Sequence, residues 1–199
     1  MTGRDRPTVW LPVLAAALLA LAACGPPSSP TPTAGSPATA QPSPTPGATS
    51  IVVIDPALLA YLPANVDGLL IAESPEAETE ALADPGLASV GSAIAAGIAV
   101  DGTSGQFVFA VVVRLLPGAM SEAGFRDWRD TYDDGACSQA DGVAGTAEAQ
   151  LDGRTVHIGT CNGGVRTYHV WLDAQGILIS ASAVGDRRLG ELLVEGLRP

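Results

Sequence analysis

Gln106-Phe107-Val108-Phe109-Ala110-Val111-Val112-Val113-Arg114-Leu115-Leu116 is the stretch on which the fold turns. β-Branched and aromatic side chains fill most of it, and these suit the pleated surface of a sheet better than the crowded surface of a helix. Asp101-Gly102-Thr103-Ser104-Gly105 supplies turn chemistry just before it, and Ser92 to Val100, before that turn, is apolar and small. Two apolar segments joined by such a turn predict a hairpin at the centre of a sheet. Pro117-Gly118 breaks the second strand.

Beyond the break, Ser121 is placed to cap a helix running to about Asp133. Phe125, Trp128 and Tyr132 recur at i, i+3 and i+7, a single stripe that reads first as core and second as a ligand platform. Arg126/Asp130 and Arg129/Asp133 are i,i+4 pairs, expected on the solvated side. Strand signals follow at 144–151, 154–161, 165–172 and 177–183, separated by Asp152-Gly153, Asn162-Gly163-Gly164 and Gln175-Gly176. Asp186 is expected to cap a last helix that turns Leu189, Leu192, Leu193 and Leu197 to the core, with Gly196 near its end.

Upstream of the hairpin, Ile51-Val52-Val53-Ile54 is β-branched, Ala57 to Tyr61 predicts a short helical turn closed by Pro63, and Gly68 to Glu73 predicts a strand. Ser74 then stands as an N-cap with Pro75 at the first helical position, and Glu76 and Glu78 complement the helix dipole, in a helix expected to stop at Asp84-Pro85. The whole order predicts an α+β fold: an antiparallel sheet with a C-terminal four-stranded meander, two or three packed helices and one disulfide.

All 10 basic residues of the 199-residue chain are Arg. Arg4, Arg6 and Asp5 lie in an N-terminal leader, so the rest of the chain keeps 8 Arg against 20 acidic residues, a formal charge of −12. That excess argues against nucleic acid as a partner, because phosphate binding needs clustered positive charge. It also disfavours electrostatic adsorption to anionic lipid.

The leader has the parts of a signal peptide: Arg4 and Arg6 form a positive start, and Trp10 to Ala23 is apolar. About 14 residues fall short of the ~20 needed to span the hydrocarbon core. It ends in Leu21-Ala22-Ala23-Cys24, which resembles the lipobox of bacterial lipoproteins. The resemblance implies cleavage of residues 1–23 as a lipoprotein signal peptide and lipidation of Cys24. It also implies a membrane partner through that anchor and an extracytoplasmic location at the bacterial cell membrane. Acyl chains contribute roughly 0.8 kcal/mol per buried CH₂, and two give stable anchoring. Residues 24–50 are the lipidated Cys and a linker whose 25–50 portion holds 8 Pro, 5 Ser and 5 Thr without a charge, too little apolar surface to offset ordering. A semi-rigid stalk is expected there, and residues 51–199 form a single α+β extracytoplasmic domain.

With Cys24 assigned to the anchor, Cys137 and Cys161 remain and are expected to pair in an oxidising compartment. If Asn162-Gly163-Gly164 is a three-residue loop, Cys161 faces Val165 and His157 falls opposite His169, with Val156 opposite Val170 and Ile158 opposite Tyr168. Two cross-strand histidines are weak metal candidates, since no third ligand at a fixed spacing completes a site. No cofactor is implied: a P-loop needs a Lys, and G-x-G-x-x-G, H-E-x-x-H and G-x-S-x-G are absent from the sequence. The function expected is a ligand- or protein-binding accessory module, its partner an envelope protein or a small ligand. A structural envelope lipoprotein and a hydrolase using His157 or His169 are the alternatives.

Overall fold

The computed structural model describes residues 51–198. The expected signal peptide (1–23), Cys24 and the Pro-rich segment to residue 50 lie outside the described residues. Strand β1 (Val53–Ile54) leads into a 3₁₀ helix, Pro56–Tyr61, capped by the Asp55 carboxylate, which accepts from the Ala57 N–H at 3.1 Å. Short strands β2 (Asn65–Val66), β3 (Leu69–Leu70) and β4 (Ala72–Glu73) follow, then helices α1 (Pro75–Ala81) and α2 (Pro85–Val90). The central hairpin is β5 (Gly91–Val100) and β6 (Phe107–Leu115). Helix α3 (Glu122–Cys137) crosses to the meander of β7 (Val143–Leu151), β8 (Arg154–Cys161), β9 (Val165–Leu172) and β10 (Ile177–Val184), and α4 (Leu189–Glu195) closes the fold.

The main sheet runs β1-β5-β6-β10-β9-β8-β7, with β4 also on β5. Every pairing in it is antiparallel except β1 with β5. Both faces are covered, which is why β6 reads as a nearly continuous apolar run rather than an alternating one. On one face Val108, Ala110, Val112, Ile177 and Ile179 pack against α4 and the 3₁₀ helix. On the other, Ile94, Val111, Val113 and Leu178 pack against α1, α2 and the start of α3 through Leu87 and Phe125. The fold class is therefore α+β, with one disulfide joining Cys137 at the end of α3 to Cys161 at the end of β8, Cα atoms 5.2 Å apart.

Several local expectations need correction. The β-branched run Ile51–Ile54 yields only a two-residue strand, and Gly68–Glu73 breaks into β3 and β4. Asp84-Pro85 does not merely stop α1. It starts α2, because the Asp84 carboxylate accepts from the Gly86 N–H at 2.7 Å and Pro85 supplies the first turn. Ser74 makes no side-chain cap, and Glu78 leaves the α1 dipole to accept from the buried Ala96 N–H at 2.9 Å. Asp186 does not cap α4; it accepts from Gln106 Nε2 at 2.8 Å, and Arg188 takes the cap position with a left-handed backbone. Leu192 is exposed rather than buried. The helix pairs on α3 also rearrange: Arg129 bonds its neighbour Asp130, and Asp133 is buried against the sheet.

Candidate functional site

Helix α3 defines the site, because the sheet beneath it changes from apolar to polar. Alternation along β9 and β10 turns Thr167, His169, Ser180 and Ser182 to the α3 side, and the strand register sets Ser180 beside His169 and Ser182 beside Thr167. On β8, His157 pairs with His169 and Ile158 with Tyr168, as the three-residue loop predicts. An all-apolar helix face would leave these groups without partners at a cost of about 1–3 kcal/mol each. The α3 sequence answers them residue by residue. Tyr132 Oη lies 3.1 Å from Ser182 Oγ, Trp128 Nε1 donates to Ser180 Oγ at 3.0 Å, and Asp133 reaches both Thr167 and His169.

These bonds form one buried chain. Ser180 Oγ is 3.0 Å from His169 Nδ1, His169 Nε2 is 2.8 Å from Asp133 Oδ1, and the Thr167 hydroxyl donates to the same oxygen at 2.5 Å while accepting from the Gly159 N–H at 3.1 Å. The Asp133 carboxylate can only accept, so His169 Nε2 carries the proton of that bond. Ser180 Oγ accepts from the Trp128 indole and meets Nδ1 with either its second lone pair or its own hydrogen. Burial alone would raise the Asp133 carboxyl, but the bonds from His169 and Thr167, with the charges of His169 and Arg129, hold it below the ordinary value. Gly159 is required beside it, since a Cβ there would sit 2.6 Å from Asp133 Oδ2 and collide with Thr167 Oγ1.

Serine, histidine and aspartate in hydrogen-bonded sequence are the parts of an acyl-transfer catalyst. Here Ser180 is 1 %, His169 0 % and Asp133 2 % exposed, and the Trp128 indole sits on the serine oxygen. With α3 in place no substrate carbonyl reaches Ser180. What the chain does is pin α3 to the sheet.

His157 stands apart from it. It lines a separate cavity of about 440 Å³ with Glu148, Arg126 and Arg129. Its Nδ1 is 3.2 Å from Arg129 Nη1 and 3.6 Å from Glu148 Oε2. Arg129 can only donate, so Nδ1 is the acceptor and the ring is neutral in this geometry. Burial, with the Arg129 charge against that of Glu148, holds His157 below the ordinary histidine value. The two histidines thus share a register but not a site, and among the described residues no group of three His, Cys, Asp or Glu is gathered to hold a metal ion.

On the other flank of α3 lies a cleft of about 610 Å³ between α3, α2 and strands β6 and β10. From Gly124 to Ala136 the helix lines it for about 18 Å. Phe109, Met120, Trp128, Tyr132 and Val90 give it apolar walls, and Ser182 lies in its floor. Burial pushes the Tyr132 phenol up to about 12 despite its bond to Ser182, so the hydroxyl stays protonated. The size falls within the 300–1,000 Å³ range of small-molecule sites, and apolar walls with few polar groups are their usual chemistry. The stripe Phe125, Trp128 and Tyr132 is therefore divided: Phe125 is core, and the other two face the cleft. Sequence reasoning missed Asp133, Thr167, Ser180 and Ser182. The signal was present as polar residues at alternate positions of two strands otherwise rich in apolar side chains.

No family model, no curated protein and no solved structure matches this chain.

Proposed function

We propose that this chain is a lipid-anchored extracytoplasmic binding protein whose cleft between α2 and α3 takes a small apolar ligand. The observation that carries the binding role is the cleft itself: an elongated apolar channel of about 610 Å³ with aromatic walls and a hydroxyl floor. The location rests on Leu21-Ala22-Ala23-Cys24, and the Cys137–Cys161 disulfide supports an oxidising compartment. The anchoring is tested by metabolic palmitate labelling, expected for the wild type and absent in Cys24→Ala; equal labelling of both refutes it.

The binding role is tested on the chain from residue 24 carrying Cys24→Ser, titrated with the neutral fluorescent probe N-phenyl-1-naphthylamine. Saturable enhancement at one site per chain is expected. Gly135 lines the cleft, and a Cβ there meets nothing within 4 Å, so Gly135→Leu adds a bulky side chain to the lining from a position with open space around its first carbon. It should abolish probe binding while the thermal midpoint holds or rises, since a Gly inside a helix is about 1 kcal/mol worse than Ala. Undiminished binding in Gly135→Leu refutes the cleft as the site.

A further inference from the structure

We infer that the ligand of this cleft is an organic cation with an apolar body, an inference that rests on the binding role proposed above and adds the ligand's charge. Two carboxylates, Asp84 at the start of α2 and Asp127 on α3, lie on the cleft's lining. No arginine of the described residues does. Arg114, Arg129, Arg154, Arg166 and Arg187 are held in ion pairs elsewhere, Arg126 lines the cavity of His157, and Arg188 lines a further cavity beside α4. The chain has no lysine that could stand in for them. A carboxylate- or phosphate-bearing amphiphile entering the cleft would therefore bring its charge to two acidic groups with no base to receive it.

The walls favour the opposite sign for a second reason. Trp128, Tyr132 and Phe109 present three aromatic side chains to one channel, and the face of an aromatic ring attracts a cation through its quadrupole, Trp most strongly. The Trp128 indole is held in orientation by its bond to Ser180, and the Tyr132 ring by its bond to Ser182, so neither ring has to be ordered when a ligand arrives. Carboxylates at the rim and oriented rings along an apolar channel together fit an ammonium or quaternary ammonium head attached to an alkyl or aryl body.

The test is competition against N-phenyl-1-naphthylamine at low ionic strength on the chain from residue 24 with Cys24→Ser. Two displacers share a twelve-carbon chain, dodecyltrimethylammonium and dodecanoate, each below its micellar concentration. The cation should displace the probe at a concentration about ten-fold lower than the anion. Asp84→Asn/Asp127→Asn should bring that ratio toward one. Asn also caps helices well, so α2 keeps its start in this variant. A ratio of one or less in the wild type overturns the inference. So does a ratio that survives the double substitution, since attraction would then come from the acidity of the whole chain. If the naphthylamine probe does not bind at all, the cleft is not a binding site and the reading beneath the inference falls with it.

Discussion

Replacing Asp133 by Ala is the perturbation that most directly separates two accounts of α3. As one half of a solvated i,i+4 pair with Arg129, Asp133 would contribute only about 0.3–0.5 kcal/mol. The structure instead buries it and gives it the Thr167 hydroxyl at 2.5 Å and His169 Nε2 at 2.8 Å. Truncation strips both donors of their acceptor in a site closed to water. Hydrogen bonds to a charged group contribute about 1.5–3 kcal/mol each, so a loss of roughly 3–5 kcal/mol is expected. That is a large share of the 5–15 kcal/mol a domain usually has. Asp133→Asn should lose less, because an amide oxygen still accepts at the Oδ1 position. The assay is urea unfolding with the disulfide intact, comparing midpoints at constant slope. His169→Ala and the double variant complete a cycle, in which coupling of at least about 1 kcal/mol is expected. A loss below about 1 kcal/mol for Asp133→Ala would refute the buried chain and return Asp133 to the surface.

Four further outcomes follow from the same geometry. Gly159→Ala should destabilise by about 2 kcal/mol or more, because the added methyl meets Asp133 Oδ2 and Thr167 Oγ1; an unchanged urea midpoint would contradict that packing. His157 is held below the ordinary histidine value by burial, so the unfolded chain takes up this proton first and stability is lost as pH falls below about 6.5. The fall between pH 8 and pH 5.5 should be shallower in His157→Gln, and an identical slope contradicts the buried neutral ring. Asp133, held below the ordinary carboxylate value, contributes stability that is full above about pH 4 and is lost below it. Reduction of Cys137–Cys161, 24 residues apart, should lower stability by about 3 kcal/mol in calorimetry or urea melts. A midpoint unmoved by reductant would mean that the loop is already ordered without the bond.

The meander was legible in the sequence because each of its strands is bounded by a turn that glycine marks, and β8 and β9 start and end where those turns place them. The opposition of His157 and His169 was legible too, since a three-residue loop fixes register and register fixes pairing. The site was harder. Spacing on a helix tells which residues share a face but not which face meets the sheet, so Asp133, one position from Tyr132, was assigned to solvent. Only the polar residues of β9 and β10, taken as a patch on a common face, show that α3 must answer with polar groups of its own. The start of α2 was hidden for a different reason: Asp-Pro both ends one helix and begins the next, and a stop signal was the simpler interpretation. The cleft arises from how α2 and α3 stand apart over β6 and β10, and periodicity carries no such spacing.

The hydrogen-bond chain from the Trp128 indole to Asp133 also has a spectroscopic signature. Hydroxyl protons normally exchange with water too quickly to be observed, but those of Thr167, donated to Asp133, and of Ser180, beside His169, sit in buried residues. In a proton NMR spectrum they should persist as separate resonances. Such signals vanish as soon as water enters. They would report any lifting of α3 from the sheet, residue by residue, without a label on the protein.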